Sequence, residues 1–141
     1  MANTDLNLKQ YNISTFGYRQ LKYFCLRYPE MKRQIADLHN PLHAMNYDGM
    51  PHGTGPGEPT AAAAERSAQL SMDCELIEQT AIEADSQIYQ YILLAATRGI
   101  SYRDLRECSI NGLAPLPAGQ DMFNARRHLF FYLLAKKKGI V

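Results

Sequence analysis

Residues 70–95 read LSMDCELIEQTAIEADSQIYQYILLA, and the spacing of their apolar members decides the fold. Leu70, Cys74, Ile77, Ala81, Ala84, Ile88, Tyr91 and Ala95 recur at steps of four, three, four, three, four, three and four. A heptad repeat of this kind lines one side of an α-helix, because 3.5 residues is close to one helical turn. Glu75, Glu78, Gln79, Glu83, Gln87 and Gln90 surround the seam, so it needs another helix to bury it. The pattern predicts one long acidic helix over 59–98. Pro59 suits a first turn, where its missing N–H is no loss, and Ala61 to Ala64 have high helix propensity. Gly99 supplies the left-handed residue that commonly ends a helix.

Working towards the N-terminus, residues 39–58 show no periodicity. Pro41, Asp48-Gly49, Pro51, Gly53, Gly55, Pro56 and Gly57 mark them as a loop or hinge. Before it, Tyr18, Leu21, Cys25, Tyr28, Met31, Ile35 and Leu38 form a second apolar stripe, with Ser14 or Thr15 available as its cap. Residues 1–38 are therefore an N-terminal helical segment, kinked or divided near Pro29, whose ring removes a donor and crowds the preceding turn. This stripe and the heptad seam suggest an antiparallel hairpin of long helices. A second copy of the chain is the alternative partner, and Ala81 and Ala84 permit close approach in either case. The residues expected to carry the contact are Leu70, Ile77, Ala81, Ala84, Ile88 and Tyr91.

Towards the C-terminus, Ser101 and Asp104 make a capping-box-like start to a short helix. Ser109 to Gly119 is a connection containing proline and glycine, and Gln120 to Lys138 is a final helix with Phe123, Phe130, Leu133 and Leu134 on its core side. Residues 99–141 thus form a basic unit like a helix-turn-helix, and the fold class is all-α throughout.

The net charge of +1 conceals an asymmetry. Residues 58–97 hold seven acids and one base, while residues 98–141 hold eight bases and three acids. A polyanion-binding module on a helical support has this distribution, and so do helices that merely carry blocks of one sign. A hydrophobic content of 46% is enough for a core. No stretch approaches the ~20 apolar residues that span a bilayer, and the start of the chain lacks the pattern of a secretory signal. The three cysteines, Cys25, Cys74 and Cys108, form no CxxC pair and read as buried free thiols of a reducing cytoplasm.

In a helix-turn-helix, the first turns of the second helix meet base edges. Here that selects Gln120, Asp121, Asn124, Arg127 and His128, of which Gln120, Asn124 and Arg127 are expected on the side away from Phe123, Phe130 and Leu134. Arginine matches guanine, and asparagine or glutamine matches adenine, each through two hydrogen bonds. Arg126 reaches a phosphate or covers the core with its stem, and Arg103 on the short helix adds a further cation. Lys136, Lys137 and Lys138 read as the complement of a helix C-terminus.

Other constellations favour no chemistry. His39, His43 and His52, with Asp48, lack cysteine partners and zinc-site spacing, and read as solvated loop histidines. Gly53-Thr54-Gly55-Pro56-Gly57 loses backbone donors at proline and has no following lysine, so it reads as a hinge rather than a phosphate cradle. No hydrolase, zincin or dinucleotide motif occurs, so neither an enzyme nor a cofactor is expected.

Several segments carry a resemblance to a known group. Tyr18-Arg19-Gln20-Leu21 with Met31-Lys32-Arg33-Gln34-Ile35, then Met50-Pro51-His52-Gly53 through Gly57-Glu58-Pro59-Thr60-Ala61, are similar to the first helix and connecting motif of small phage and prophage regulators. Gly99-Ile100-Ser101-Tyr102 with Leu105, then Phe123-Asn124-Ala125-Arg126-Arg127, resemble their terminal DNA-binding unit. These are the ArpU- and RinA-like late-gene activators, whose C-terminal module is similar to sigma factor region 4. Glu58 stands where an aspartate is expected, and the Ser109–Gly119 connection is longer than an ordinary helix-turn-helix turn. The resemblance implies a DNA-binding regulator of late phage genes in the cytoplasm of a bacterial host. Its expected partners are double-stranded DNA, RNA polymerase and a second copy of the chain, with no membrane. The rival expectation is a module that binds or inhibits a host protein, such as RNA polymerase or a nucleic-acid-targeting defence complex.

Overall fold

A computed structural model describes residues 6–38 and 61–141. The loop expected over 39–58, with its histidines and glycines, and the helix start at Pro59 lie outside those residues. All helices and no strands are found among the described residues, as the all-α expectation requires. A 3-10 turn at Lys9–Tyr11 precedes α1 (Thr15–Leu26), α2 (Tyr28–Leu38) and α3 (Ala61–Ala84). They are followed by α4 (Tyr89–Arg98), α5 (Tyr102–Glu107) and α6 (Gln120–Lys137).

The N-terminal stripe is divided, at Arg27 rather than at Pro29 itself. A proline ring crowds the carbonyl four residues before it, here that of Cys25, so the discontinuity falls upstream of Pro29. Ser14 caps α1, its hydroxyl accepting from the Gly17 N–H at 3.0 Å. Chain contacts divide the protein into a unit of Met1–Arg27 with Leu76–Val141 and a unit of Tyr28–Glu75. Within the second unit Met31, Leu70 and Cys74 are buried. The stripe fades along α2, where Ile35 is half-buried and Leu38 exposed.

The heptad seam is buried as expected, but it does not lie on one helix. Ile77, Ala81, Ala84, Ile88 and Tyr91 are all buried, and Ala95 is half-buried. Between α3 and α4 the helix is interrupted at Asp85, inside the stretch that the sequence predicts as one continuous helix. Its Oδ1 accepts the backbone N–H groups of Gln87 and Ile88, at 2.8 and 3.2 Å. Aspartate side chains compete in this way with the helix ladder, satisfying donors that would otherwise be orphaned at the start of α4. The second Asp85 oxygen meets Arg126 on α6 at 3.2 Å.

The first unit is built on three helices. α1 packs on α4 and on α6, and α4 packs on α6. Besides the two stripes expected to pair, α6 also supplies a large share of this unit's core. Leu21 and Cys25 from α1, Ile92 from α4, and Phe130 and Leu134 from α6 are completely buried. Phe131, which the sequence reading did not place in the core, is buried edge-on to Tyr18 with ring centroids 5.2 Å apart. Within the first unit, Ile77, Ala81, Ala84, Ile88 and Tyr91 are buried inside one chain.

Replacing Asp85 with Ala removes a cap and an ion pair together. The loss should be about 1–2 kcal/mol, the usual range for a helix cap. Asp85→Asn, which retains a capping oxygen, should recover most of it in urea denaturation. Equal midpoints for Asp85→Ala and the parent would show that the interruption does not depend on this side chain.

Candidate nucleic-acid interface

α5, the connection and the first half of α6 form the segment expected to meet DNA. Ser101 starts α5 by accepting the Asp104 N–H at 3.2 Å, and Gly99 ends α4 at φ +65°, both as the sequence predicts. The long connection is far more ordered than its composition suggests. Ile110 and Leu113 exchange two backbone hydrogen bonds, at 3.2 and 2.9 Å, across Asn111 and Gly112, whose φ angles are +52° and +80°. An Asn-Gly pair with both residues at positive φ is the preferred two-residue turn, since its twist matches antiparallel chain. An Asn-Gly pair between apolar residues is itself a local sequence signal for such a turn.

Beyond this turn the connection is tied to the helices on both sides. Leu116 is completely buried, and its N–H donates to the Leu105 carbonyl at 2.7 Å. Arg106 donates to the Leu116 carbonyl at 3.0 Å. The hydroxyls of Tyr91 and Tyr102 donate to the carbonyls of Ala114 and Ala118, at 2.7 and 3.1 Å. Nothing in residue spacing announces a bond from a tyrosine hydroxyl to a distant carbonyl. These anchors hold α5 in a fixed relation to the start of α6.

The orientation of α6 differs from expectation. Arg127 does not point away from Phe123; its guanidinium lies over that ring, 5.5 Å from the centroid. Four residues make slightly more than one helical turn, so positions 123 and 127 share a face. Asn124 Oδ1 accepts from Arg127 Nη2 at 3.2 Å, while Arg127 Nε is buried with no hydrogen-bond partner. Burial lowers the Arg127 pKa, partly opposed by Tyr18. His128 is half-buried, and its imidazole is held below its ordinary pKa by burial first and Arg127 second. Gln120, Asp121, Met122, Ala125 and Arg126 are the exposed residues in the first two turns. Arg126 is engaged with Asp85, and Arg103 lies on the surface, paired with Glu107 at 3.4 Å. The structure therefore joins Asn124 to Arg127, leaves Gln120 and Arg103 accessible, and directs Arg126 to another side.

The charge blocks also meet inside the molecule. Lys137 Nζ lies 3.0 Å from Glu83 and 3.1 Å from the Thr80 hydroxyl. Lys138 sits over the Phe24 ring at 3.8 Å, and Lys136 over Tyr132 at 5.5 Å. Part of the basic block thus neutralises the acidic one. Even so, the first unit holds twelve bases and seven acids, a net +5, and the second holds three bases and seven acids, a net −4.

Cys25 and Cys74 are buried, but Cys108 at the end of α5 is exposed, contrary to the expectation of three buried thiols. The start of the connection turns outward there, with Ser109 also exposed. Among the described residues no cluster of three histidine, cysteine or acidic side chains could hold a metal ion. None of the described helices is long and apolar enough to cross a membrane. No family model, curated protein or solved structure matches the chain.

Proposed function

We propose that the chain is a DNA-binding transcriptional regulator of the phage late-gene type, acting through α5, the connection and the first turns of α6. The observation that carries this reading is the pinned connection: it makes a fixed two-helix surface of a unit whose net charge is +5. A surface that presents both helices in one relation loses little conformational freedom on docking, and its charge attracts phosphates. Gln120 is the exposed side chain suited to an adenine edge, and Arg103 is suited to a phosphate. The phage context is supported by the resemblance of the sequence segments.

Binding to duplex DNA should weaken with salt, with a log–log slope near −0.9 for each phosphate contacted. Gln120→Ala should cost about 1–3 kcal/mol on a selected site and relax preference at one base position. Arg103→Ala should weaken all sequences alike. Arg127→Ala is a poor probe of base reading, because its guanidinium packs on Phe123 and its removal would change stability together with any DNA contact. Mobility shifts against promoter fragments and a random library, at fixed salt, make the comparison. Absence of binding at low salt would defeat the proposal.

A second reading draws on the internal ion pairs. Arg126 and Lys137 are engaged by Asp85 and Glu83, which reduces the cations offered to a polyanion. This favours a module that binds or inhibits a host protein, such as RNA polymerase or a nucleic-acid-targeting defence complex. Co-purification with RNA polymerase in the absence of DNA binding would select it.

A further inference from the structure

Among the described residues, one face of α1 and one face of α3 are exposed, and they have opposite character. On α1 the outward side carries Phe16, 77% exposed, and Tyr23, 59% exposed, with Arg19, Gln20 and Arg27 around them. Residues 6–29 contain Lys9, Arg19, Lys22 and Arg27 and no acid. On α3 the side opposite the buried seam centres on Met72, 63% exposed, with Glu65 and Glu75 exposed beside it. α3 as a whole holds five acids and one base. Large apolar side chains at such exposure mark a contact surface when they share a face instead of being scattered singly. Phe16 and Tyr23 are seven residues apart and therefore do so.

We infer that a second copy of the chain covers this surface, setting the Met72 face of its α3 against the Phe16–Tyr23 face of α1. Charge complementarity selects this occupant: a basic rim around apolar side chains meets an acidic rim around another, both encoded in one sequence. Pairing α1 with α1 would set cations against cations. A nucleic-acid strand stacking on the rings is disfavoured, because Arg19 lies over the Phe16 ring and Lys22 over the Tyr23 ring, each 5.7 Å from the centroid. One face of each ring thus already carries a cation, while much of each side chain stays exposed for aliphatic and thioether contact. The surface is separate from the heptad seam, and the inference does not depend on the DNA-binding proposal.

Sedimentation of the full chain, without nucleic acid, tests it over a range of protein and salt concentrations. Two double variants are compared with the parent: Arg19→Glu with Gln20→Glu on α1, and Glu65→Lys with Glu75→Lys on α3. All four sites are exposed, so thermal melting should stay close to that of the parent. The parent should self-associate, less at high salt, and each double variant alone should associate at least ten-fold more weakly. An equimolar mixture should recover association, because the reversed charges then face opposite partners. Phe16→Ser should weaken association without changing its salt dependence. A parent that stays monomeric, variants that associate like the parent, or a mixture that fails to recover would each overturn the inference. So would an α1 variant whose single defect is loss of affinity for an oligonucleotide.

Discussion

Ile88→Asp is expected to abolish cooperative unfolding of the first unit. Ile88 is buried at 4% exposure, where α3 gives way to α4, and its carbonyl accepts the N–H groups of Tyr91 and Ile92 at 3.0 and 3.2 Å. A carboxylate there would be almost wholly removed from water. The cost is on the order of 4 kcal/mol or more, against a stability of about 5–15 kcal/mol for an ordinary domain. Circular dichroism should show a broad, low-temperature loss of helix in place of a sigmoidal melt. Acidification should restore part of the stability, because a protonated carboxyl is cheaper to bury than a charged one. Ile88→Val should cost only about 1 kcal/mol, since it removes a single methylene. If Ile88→Asp melts like the parent, the heptad seam is not the core.

Phe123→Ala should produce a loss of about 3–5 kcal/mol, the range for emptying a buried aromatic site. Phe123 is fully buried at the start of α6, with the Tyr102 ring 5.8 Å away and the Arg127 guanidinium over its face. Removing the ring withdraws support from both sides of the proposed DNA surface at once. Tyr102 also anchors the connection through Ala118, so the effect should spread to amide exchange around α5. The urea midpoint should fall sharply, while Phe123→Leu should retain most of the stability by preserving volume. A midpoint within about 1 kcal/mol of the parent for Phe123→Ala would show that the site collapses around the missing ring.

The fold was legible where local rules act alone. The seam from Leu70 to Tyr91 emerged from spacing, and the roles of Ser14, Ser101 and Gly99 followed from capping chemistry. Asp85 was misplaced because the four-three rhythm runs through the interruption: Ala84, Ile88 and Tyr91 stay buried although the helix stops between them. Rhythm reports which side chains face inward, and it is blind to a turn that preserves the register. Arg127 was misplaced by reading a residue's polarity ahead of its phase. Its position one turn after Phe123 puts it on the core side, where the aliphatic stem and the flat guanidinium can pack against a ring. Asn111-Gly112 is a legible turn signal, since both residues tolerate positive φ. The contacts of Asp85 with Arg126, Glu83 with Lys137, and Tyr91 with Ala114 join residues far apart in sequence. No local pattern encodes them.

The three thiols have a practical consequence. Cys25 is completely buried in α1, and burial raises its pKa, so it stays a neutral, unreactive thiol in the folded chain. Cys108 stands in solvent. A thiol reagent added to the protein with Cys74, which is also buried, replaced by Ala therefore meets Cys108 at once and Cys25 only when α1 parts from its neighbours. The slow labelling of Cys25 is a clock for that opening, and Cys108 calibrates the reagent in the same tube. If opening is fast and reversible, the ratio of the two rates gives the free energy of the event that exposes Cys25, under conditions where almost every molecule is folded.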